Sequence, residues 1–220
     1  MDYYQKTYQR WYNLFSKVYD PFMRLFCFLF NGGFGGKQRF HELIIKWIDP
    51  QPGDKIIDIC CGTATLVMML YEKLNGIGEI TGIEISFAQL RIARKKQKHE
   101  RPFIIQGDAR YAPFADNYFN KSVICGALHE MPQEVRSTVL SEAYRITMPG
   151  GKITILEHNK PNKKWKAWLF DLMERVNPEY ATYKSLLKSG LINEIEQANF
   201  KIIKTDTIFR EFFQIVLAKK

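Results

Sequence analysis

Cysteine is scarce in this 220-residue sequence, limited to Cys27, Cys60, Cys61 and Cys125. None of the spacings is of the zinc type, and adjacent Cys60 and Cys61 are badly placed for an ordinary disulfide. Reduced, buried thiols are the simplest expectation. Also lacking are a run of about 18 uncharged apolar residues and a charged segment leading into an apolar one, which argues against a spanning helix and a signal peptide. The sequence therefore reads as soluble and cytoplasmic. No internal repeat or low-complexity tract interrupts it. His129-Glu-Met-Pro-Gln lacks the second histidine of a His-Glu-x-x-His zinc motif, so no metal is expected.

What is present is enough apolar material, 46% of residues, for one sizeable core but not two. A single domain over 1–220 is the expectation. A formal net charge of +9 points to an anionic partner such as nucleic acid, an acidic membrane surface or an acidic substrate, without choosing among them.

Residues 1–50 are rich in aromatics and end in a glycine cluster at 32–36, and they read as an N-terminal helical cap or lid with a helix over 39–47. From residue 51 the pattern alternates. Apolar, β-branched runs at 55–60, 79–85, 103–106, 121–125 and 152–157 are separated by helical patterns near 64–74, 87–98 and 133–146, the βαβ signature of a parallel sheet. This predicts an α/β, Rossmann-like doubly wound seven-stranded sheet, with a cofactor-binding core at 51–158. Residues 159–183 form a Lys/Trp-rich insert on the substrate side. The remainder, 184–220, reads as a last helix to about 198 and an antiparallel hairpin of 200–208 and 211–218 on the sheet edge.

Ligands of such sheets bind beyond the carboxyl ends of the strands, near the reversal of strand order. After the first strand comes Asp58-Ile-Cys60-Cys61-Gly62-Thr63-Ala-Thr. Here Gly62 allows a close backbone approach, and the following helix offers free N–H groups to a carboxylate. Cys60 and Ala64 stand where a Gly-x-Gly-x-Gly turn has its first and third glycines. Glu84 ends the second strand, followed by Ile85, and its carboxylate can accept two ribose hydroxyls. Asp108 and Ala109 follow the third strand, where a carboxylate and a neighbouring N–H suit an adenine edge. Cys125 closes the fourth strand. In order along residues 50–160, these segments and the Met148-Pro-Gly-Gly turn resemble the class I S-adenosylmethionine-dependent methyltransferases. That resemblance implies S-adenosylmethionine as cofactor and S-adenosylhomocysteine as product, bound through Asp58, Cys60, Cys61, Gly62, Thr63, Glu84, Ile85, Asp108, Ala109 and Cys125. A nicotinamide dehydrogenase shares the fold but gives no reason for Asp108 or the Pro-Gly-Gly turn.

The acceptor is less well marked. Tyr19-Asp-Pro-Phe-Met-Arg, the aromatic stretch and the later Asp-Ile-Cys-Cys-Gly-Thr look like the ubiquinone and menaquinone biosynthesis C-methyltransferases and the related bacterial phosphatidylethanolamine N-methyltransferases. Both imply amphiphilic acceptors, a quinone precursor or a phospholipid headgroup. The expectation is a lid of 1–40 and 160–170 that touches the inner membrane surface peripherally, with Tyr12, Tyr19 and His129 on the substrate side and His129 the candidate catalytic base. The alternative for His129 is a structural or capping role, and for the aromatics plain packing on the sheet. The basic stretch from Arg91 to Arg101 reads as a solvated helix face. A soluble small-molecule acceptor remains open. An RNA methyltransferase would explain the charge but lacks a base-flipping motif or RNA-binding appendage, and a non-catalytic cofactor-binding protein is weakened by the intact Asp58, Gly62, Glu84 and Asp108.

Overall fold

The computed structural model describes Pro21 and residues 36–98, 100–175, 179–209 and 211–220. The chain runs through α1 (Gly36–Ile48), β1 (Lys55–Ile59), α2 (Thr65–Lys73), β2 (Glu79–Glu84), α3 (Phe87–Lys96), β3 (Phe103–Gln106) and β4 (Phe119–Cys125). Then follow α4 (Gln133–Ile146), β5 (Thr147–His158), α5 (Lys164–Glu174), α6 (Tyr180–Ser189), α7 (Leu191–Gln197), β6 (Lys201–Ile208) and β7 (Phe213–Lys219). Single 3₁₀ turns lie at Ala109–Tyr111 and Leu128–Glu130. The expected seven-stranded sheet is there, ordered β3-β2-β1-β4-β5-β7-β6. Its first five strands are parallel, and β7 runs antiparallel between β5 and the edge strand β6.

The buried positions of the central strands are mostly apolar because helices cover both faces. In β1, successive side chains feed opposite cores. Ile57 and Ile59 join Ile124, Ile155, Leu140 and Ile195 on one face, while Ile56 packs with Ile44, Leu66, Leu70 and Val123 on the other. Strand order reverses between β1 and β4, so the carboxyl ends of these two strands flank the crevice where this class of sheet binds ligands.

One expectation is corrected. The helix read over 184–198 is two helices, because Gly190 turns the backbone to φ 80° and ends α6 with its N–H on the Leu186 carbonyl at 2.9 Å. Only glycine reaches that conformation without strain from a Cβ. The break lets α6 and α7 close around the wholly buried Arg136 of α4. Its guanidinium donates to both oxygens of Glu194 at 2.7–3.1 Å, to the Met131 carbonyl at 2.6 Å, and to the Ser185 and Ser189 hydroxyls at 3.3 and 3.4 Å. A buried bidentate pair of this kind ties α4, α6, α7 and the turn after β4 into one unit.

Removing one partner would strand the other charge in the core. Arg136→Ala is expected to lose about 3–5 kcal/mol of stability, whereas joint replacement by Arg136→Met and Glu194→Leu restores most of it. Urea unfolding midpoints of the three proteins check this; equal midpoints for wild type and Arg136→Ala would show that the pair contributes nothing.

Candidate active site

The turn after β1 is shaped by three left-handed residues, Cys60 (φ 62°), Gly62 (φ 55°) and Ala64 (φ 55°). The two small residues that replace glycine thus adopt the conformation glycine favours. The turn is tied to β2 by Cys61 N–H on the Ile83 carbonyl at 3.0 Å, and it closes with Ala64 N–H on the Cys61 carbonyl at 2.9 Å. Beneath it, Gly82 of β2 has no room for a side chain, since a Cβ there would lie 2.7 Å from Cys61 Sγ. In front of Gly62, by contrast, a Cβ would meet nothing within 4 Å among the described residues. The turn therefore faces open space.

Glu84 ends β2 with its carboxylate 1% exposed. Gly62 N–H donates to Oε2 at 3.0 Å and Ser86 N–H to Oε1 at 2.7 Å. Burial pushes the carboxyl up to about 7, against the pull of those backbone donors. Asp58 is buried beside it, and burial together with the Glu84 charge raises its carboxyl well above the ordinary range. Its Oδ1 finds no hydrogen-bond donor among the described residues. A buried acceptor without a donor, a second carboxylate with spare lone pairs and an open cradle at a helix N-terminus fit a ligand that carries an ammonium group, hydroxyls and a carboxylate. Burial first, and then the neighbouring carboxylates, push the Cys60 and Cys61 thiols up, so they remain neutral. Cys60, Cys61 and Cys125 are free as expected, but half-buried rather than buried.

Lys96 corrects the reading of 91–101 as a uniformly solvated face. Its ammonium donates to Thr63 Oγ1 at 2.7 Å, Thr65 Oγ1 at 3.0 Å and the Thr63 carbonyl at 3.3 Å, which clamps the cofactor turn from α3. Arg91, Arg94, Lys95, Lys98 and Arg101 are exposed, as that reading requires.

Beside the turn is a small, mostly apolar crevice whose lining includes Cys60, Ile83, Ile85, Asp108, Ala109, Met131 and Val135. Asp108 Oδ1 accepts the Arg110 backbone N–H at 2.9 Å, and its carboxylate pairs with the Arg110 guanidinium at 2.7–3.1 Å. Met131 and Val135 were not singled out from sequence. Cys125 packs against the core of the other sheet face and does not line this crevice.

Next to Met131, the 3₁₀ turn Leu128–Glu130 carries His129, which is buried with Nδ1 2.7 Å from Glu157 Oε1. His158 Nδ1 lies 2.9 Å from the same oxygen, and the two imidazoles meet edge to face at 4.0 Å between centroids. Neither Glu157 nor His158 was marked from sequence. Tyr12 and Tyr19 lie outside the described residues, as does the rest of the N-terminal cap before Gly36 apart from Pro21.

Comparison with known proteins bears on this geometry. The model of the ubiE/COQ5 methyltransferase family matches residues 5–208. A demethylmenaquinone methyltransferase of Geobacillus sp. (strain WCH70) is 32% identical over 161 residues, 72% of this chain and 67% of that protein. A chloroplastic 2-phytyl-1,4-beta-naphthoquinone methyltransferase of Arabidopsis thaliana is 27% identical over 170 residues, 73% of this chain and 62% of that one. The chain thus spans roughly two thirds of the length of these relatives. Among solved structures, the [4+2]-cyclase SpnF superposes with a TM-score of 0.67 at 18% identity, covering 84% of this chain and 81% of its own. That likeness speaks for the fold alone, and a cyclase on the same sheet shows why chemistry must be argued from the site. The family match settles the assignment: this chain belongs to the ubiE/COQ5 methyltransferase family and is an S-adenosylmethionine-dependent methyltransferase.

Proposed function

We propose that the acceptor is a naphthoquinone carrying a long isoprenoid tail, methylated at a ring carbon in its reduced, hydroquinone form. The observation that carries this is the family match together with relatives named for demethylmenaquinone and 2-phytyl-1,4-beta-naphthoquinone. A quinone ring is electron-poor, while its hydroquinone is an electron-rich aromatic whose ring carbon is nucleophilic, so the reduced form is the competent acceptor. When bound, S-adenosylmethionine supplies the methyl group from a sulfonium, whose carbon–sulfur electron pair stays on sulfur. We assign its ribose to Glu84, its amino-acid portion to Asp58 and the Cys60–Thr63 turn, and its adenine to the crevice at Ile85, Asp108 and Ala109. Alignment in a poorly hydrated site does much of the work in such transfers. The relatives' names support the ring acceptor over a phospholipid headgroup.

The aromatic, basic insert supports an amphiphilic acceptor. Trp165, Trp168 and Leu172 lie on one face of α5 at spacings of three and four, 62%, 63% and 45% exposed. Lys160 and the exposed Lys163 and Lys164 flank them, and Lys184 and Lys188 border the groove between α5 and α6. An apolar stripe within a basic collar suits an anionic membrane interface, where the tail of such an acceptor resides. No helix among the described residues is long and apolar enough to cross a membrane.

Label from S-adenosylmethionine should enter dithionite-reduced 2-phytyl-1,4-naphthoquinone and not phosphatidylethanolamine; the reverse result would replace the quinone reading. Glu84→Ala should weaken S-adenosylhomocysteine binding by about 1.5–3 kcal/mol, roughly tenfold to more than a hundredfold, in a protein whose circular dichroism is unchanged. Because ribose hydroxyls donate to the ionised carboxylate, affinity should tighten as pH rises through about 7. With Glu84→Gln, calorimetry should find no such trend. In Gly62→Val the branched side chain would enter the open cradle from a strained left-handed backbone, and ligand binding should vanish. Wild-type protein should sediment with anionic vesicles at low salt. Changing Lys160, Lys163, Lys164 and Lys166 to glutamine should release it, each lysine near such a surface being worth about 1 kcal/mol.

A further inference from the structure

Five N–H groups converge on the buried Glu157 carboxylate at the end of β5. Leu128 N–H and His129 N–H donate to Oε2 at 2.8 and 3.2 Å, and His158 N–H donates to Oε1 at 2.7 Å. The Nδ1 atoms of His129 and His158 reach Oε1 at 2.7 and 2.9 Å. Burial alone would raise this carboxyl, but the two histidines and their hydrogen bonds hold it well below the usual carboxylate range. It is therefore ionised at neutral pH and acts only as an acceptor. An acceptor-only partner fixes the tautomer: both rings carry their hydrogen on Nδ1, and the lone pair of a neutral His129 sits on Nε2.

That lone pair lies on the side of the ring away from the Glu157 oxygen that holds Nδ1. Nε2 is 4.0 Å from Glu130 Oε1, and a ring nitrogen of His129 lies within 4.8 Å of carboxylate oxygens of both Glu130 and Glu179. The charge of Glu130 is felt at the Cys60 thiol, and Met131, two residues after His129, lines the crevice wall with Cys60. The ring is held rigidly, because His158 packs on it at 4.0 Å and is itself backed by Phe213 at 4.8 Å and Tyr183 at 5.5 Å. The groups that face His129 are Glu157 and His158 on β5, Glu130 on its own turn and Glu179 just before α6. Three backbone N–H donors already satisfy Glu157 as a turn anchor, so the imidazoles add an oriented base to an anchor complete without them.

We infer that His129 Nε2 is the general base that takes a ring-hydroxyl proton from the acceptor, with Glu157 the positioning residue that fixes its tautomer and balances the imidazolium; this rests on the hydroquinone reading above. As the proton moves to Nε2, the electron pair of the O–H bond shifts through the ring to the carbon that receives the methyl group. The ring carbon then gives up its hydrogen to water, aromaticity returns, and the proton on His129 goes back to oxygen. One methyl group enters and one proton leaves to solvent. His129 is a catalytic residue in this scheme, and His158 keeps its ring in place.

The test compares wild type with His129→Gln on dithionite-reduced 2-phytyl-1,4-naphthoquinone, with S-adenosylhomocysteine affinity measured in parallel. Loss of the base should lower kcat by about 10²- to 10⁴-fold while KM and S-adenosylhomocysteine affinity stay near wild type. Added imidazole should restore part of the turnover of His129→Gly. Nitrogen-15 spectra of labelled histidine should show that the neutral form of His129 carries its hydrogen on Nδ1. Glu157→Gln should lose that tautomer preference; should it fail to fold, the His129 variants still decide. Three outcomes overturn the inference: wild-type kcat in His129→Gln, a parallel loss of ligand affinity there, or wild-type activity abolished by a chelator and restored by a divalent cation. Wild type that ignores the hydroquinone would instead overturn the acceptor reading, and this inference with it.

Discussion

The carboxyl end of the sheet depends on one constraint, an ionised carboxylate that the fold must bury. Taking Glu157 out of water would cost several kcal/mol without compensation, and the compensation comes from N–H groups that only a specific backbone path can supply. To deliver Leu128 and His129 N–H to Oε2, the chain leaving β4 has to turn at once. Gly126, at φ 62°, makes that turn while its N–H stays on the Leu156 carbonyl at 2.8 Å. Arg136 then holds the far side of the same turn through the Met131 carbonyl. A buried anion on β5 and a buried cation on α4 thus grip a short segment from both ends, and the crevice wall formed by Met131 is a consequence.

The opposite ends of the strands are fastened differently, with groups that range from exposed to buried. Lys121 pairs with Asp54 at 2.7 Å, and Asn120 Oδ1 accepts the Lys55 N–H at 2.6 Å, which staples β1 to β4 where they begin. The division matches the rule that conserves stability on one face of such sheets and chemistry on the other.

Much of this was legible in the sequence because its signals are local. The alternation of β-branched runs with helical periods located β1–β5, and Asp58, Gly62 and Glu84 declared themselves by position after strands. Lys96, Arg136 and Glu157 did not, and the reason is common to all three. Key partners of each lie 33, 58 and 28–29 residues away in the chain, and nothing in the neighbouring residues distinguishes a clamping lysine from a solvated one. Within 91–101 only the three-dimensional path of α3 separates Lys96 from its exposed neighbours. The break at Gly190 was readable in principle, since glycine inside a helical pattern is a stop signal. The apolar periodicity on either side of it hid the interruption.

The cofactor turn shows how a departure from the family-like glycine pattern is absorbed. Placing Cβ atoms at Cys60 and Ala64 in the left-handed region costs on the order of 1–2 kcal/mol each. Side chains at these positions also restrict the unfolded chain, which returns part of that cost and leaves the turn with fewer alternatives before a ligand arrives. Room for the turn is also supplied from another strand: Gly82 of β2 lies under Cys61 Sγ, where any side chain would clash. At Gly62 a side chain would enter space that none of the described residues fills, and there glycine is kept. Two glycines, one beneath the turn and one facing the ligand, therefore do the work that three in a row would do in a looser loop, and Lys96 locks the result from α3.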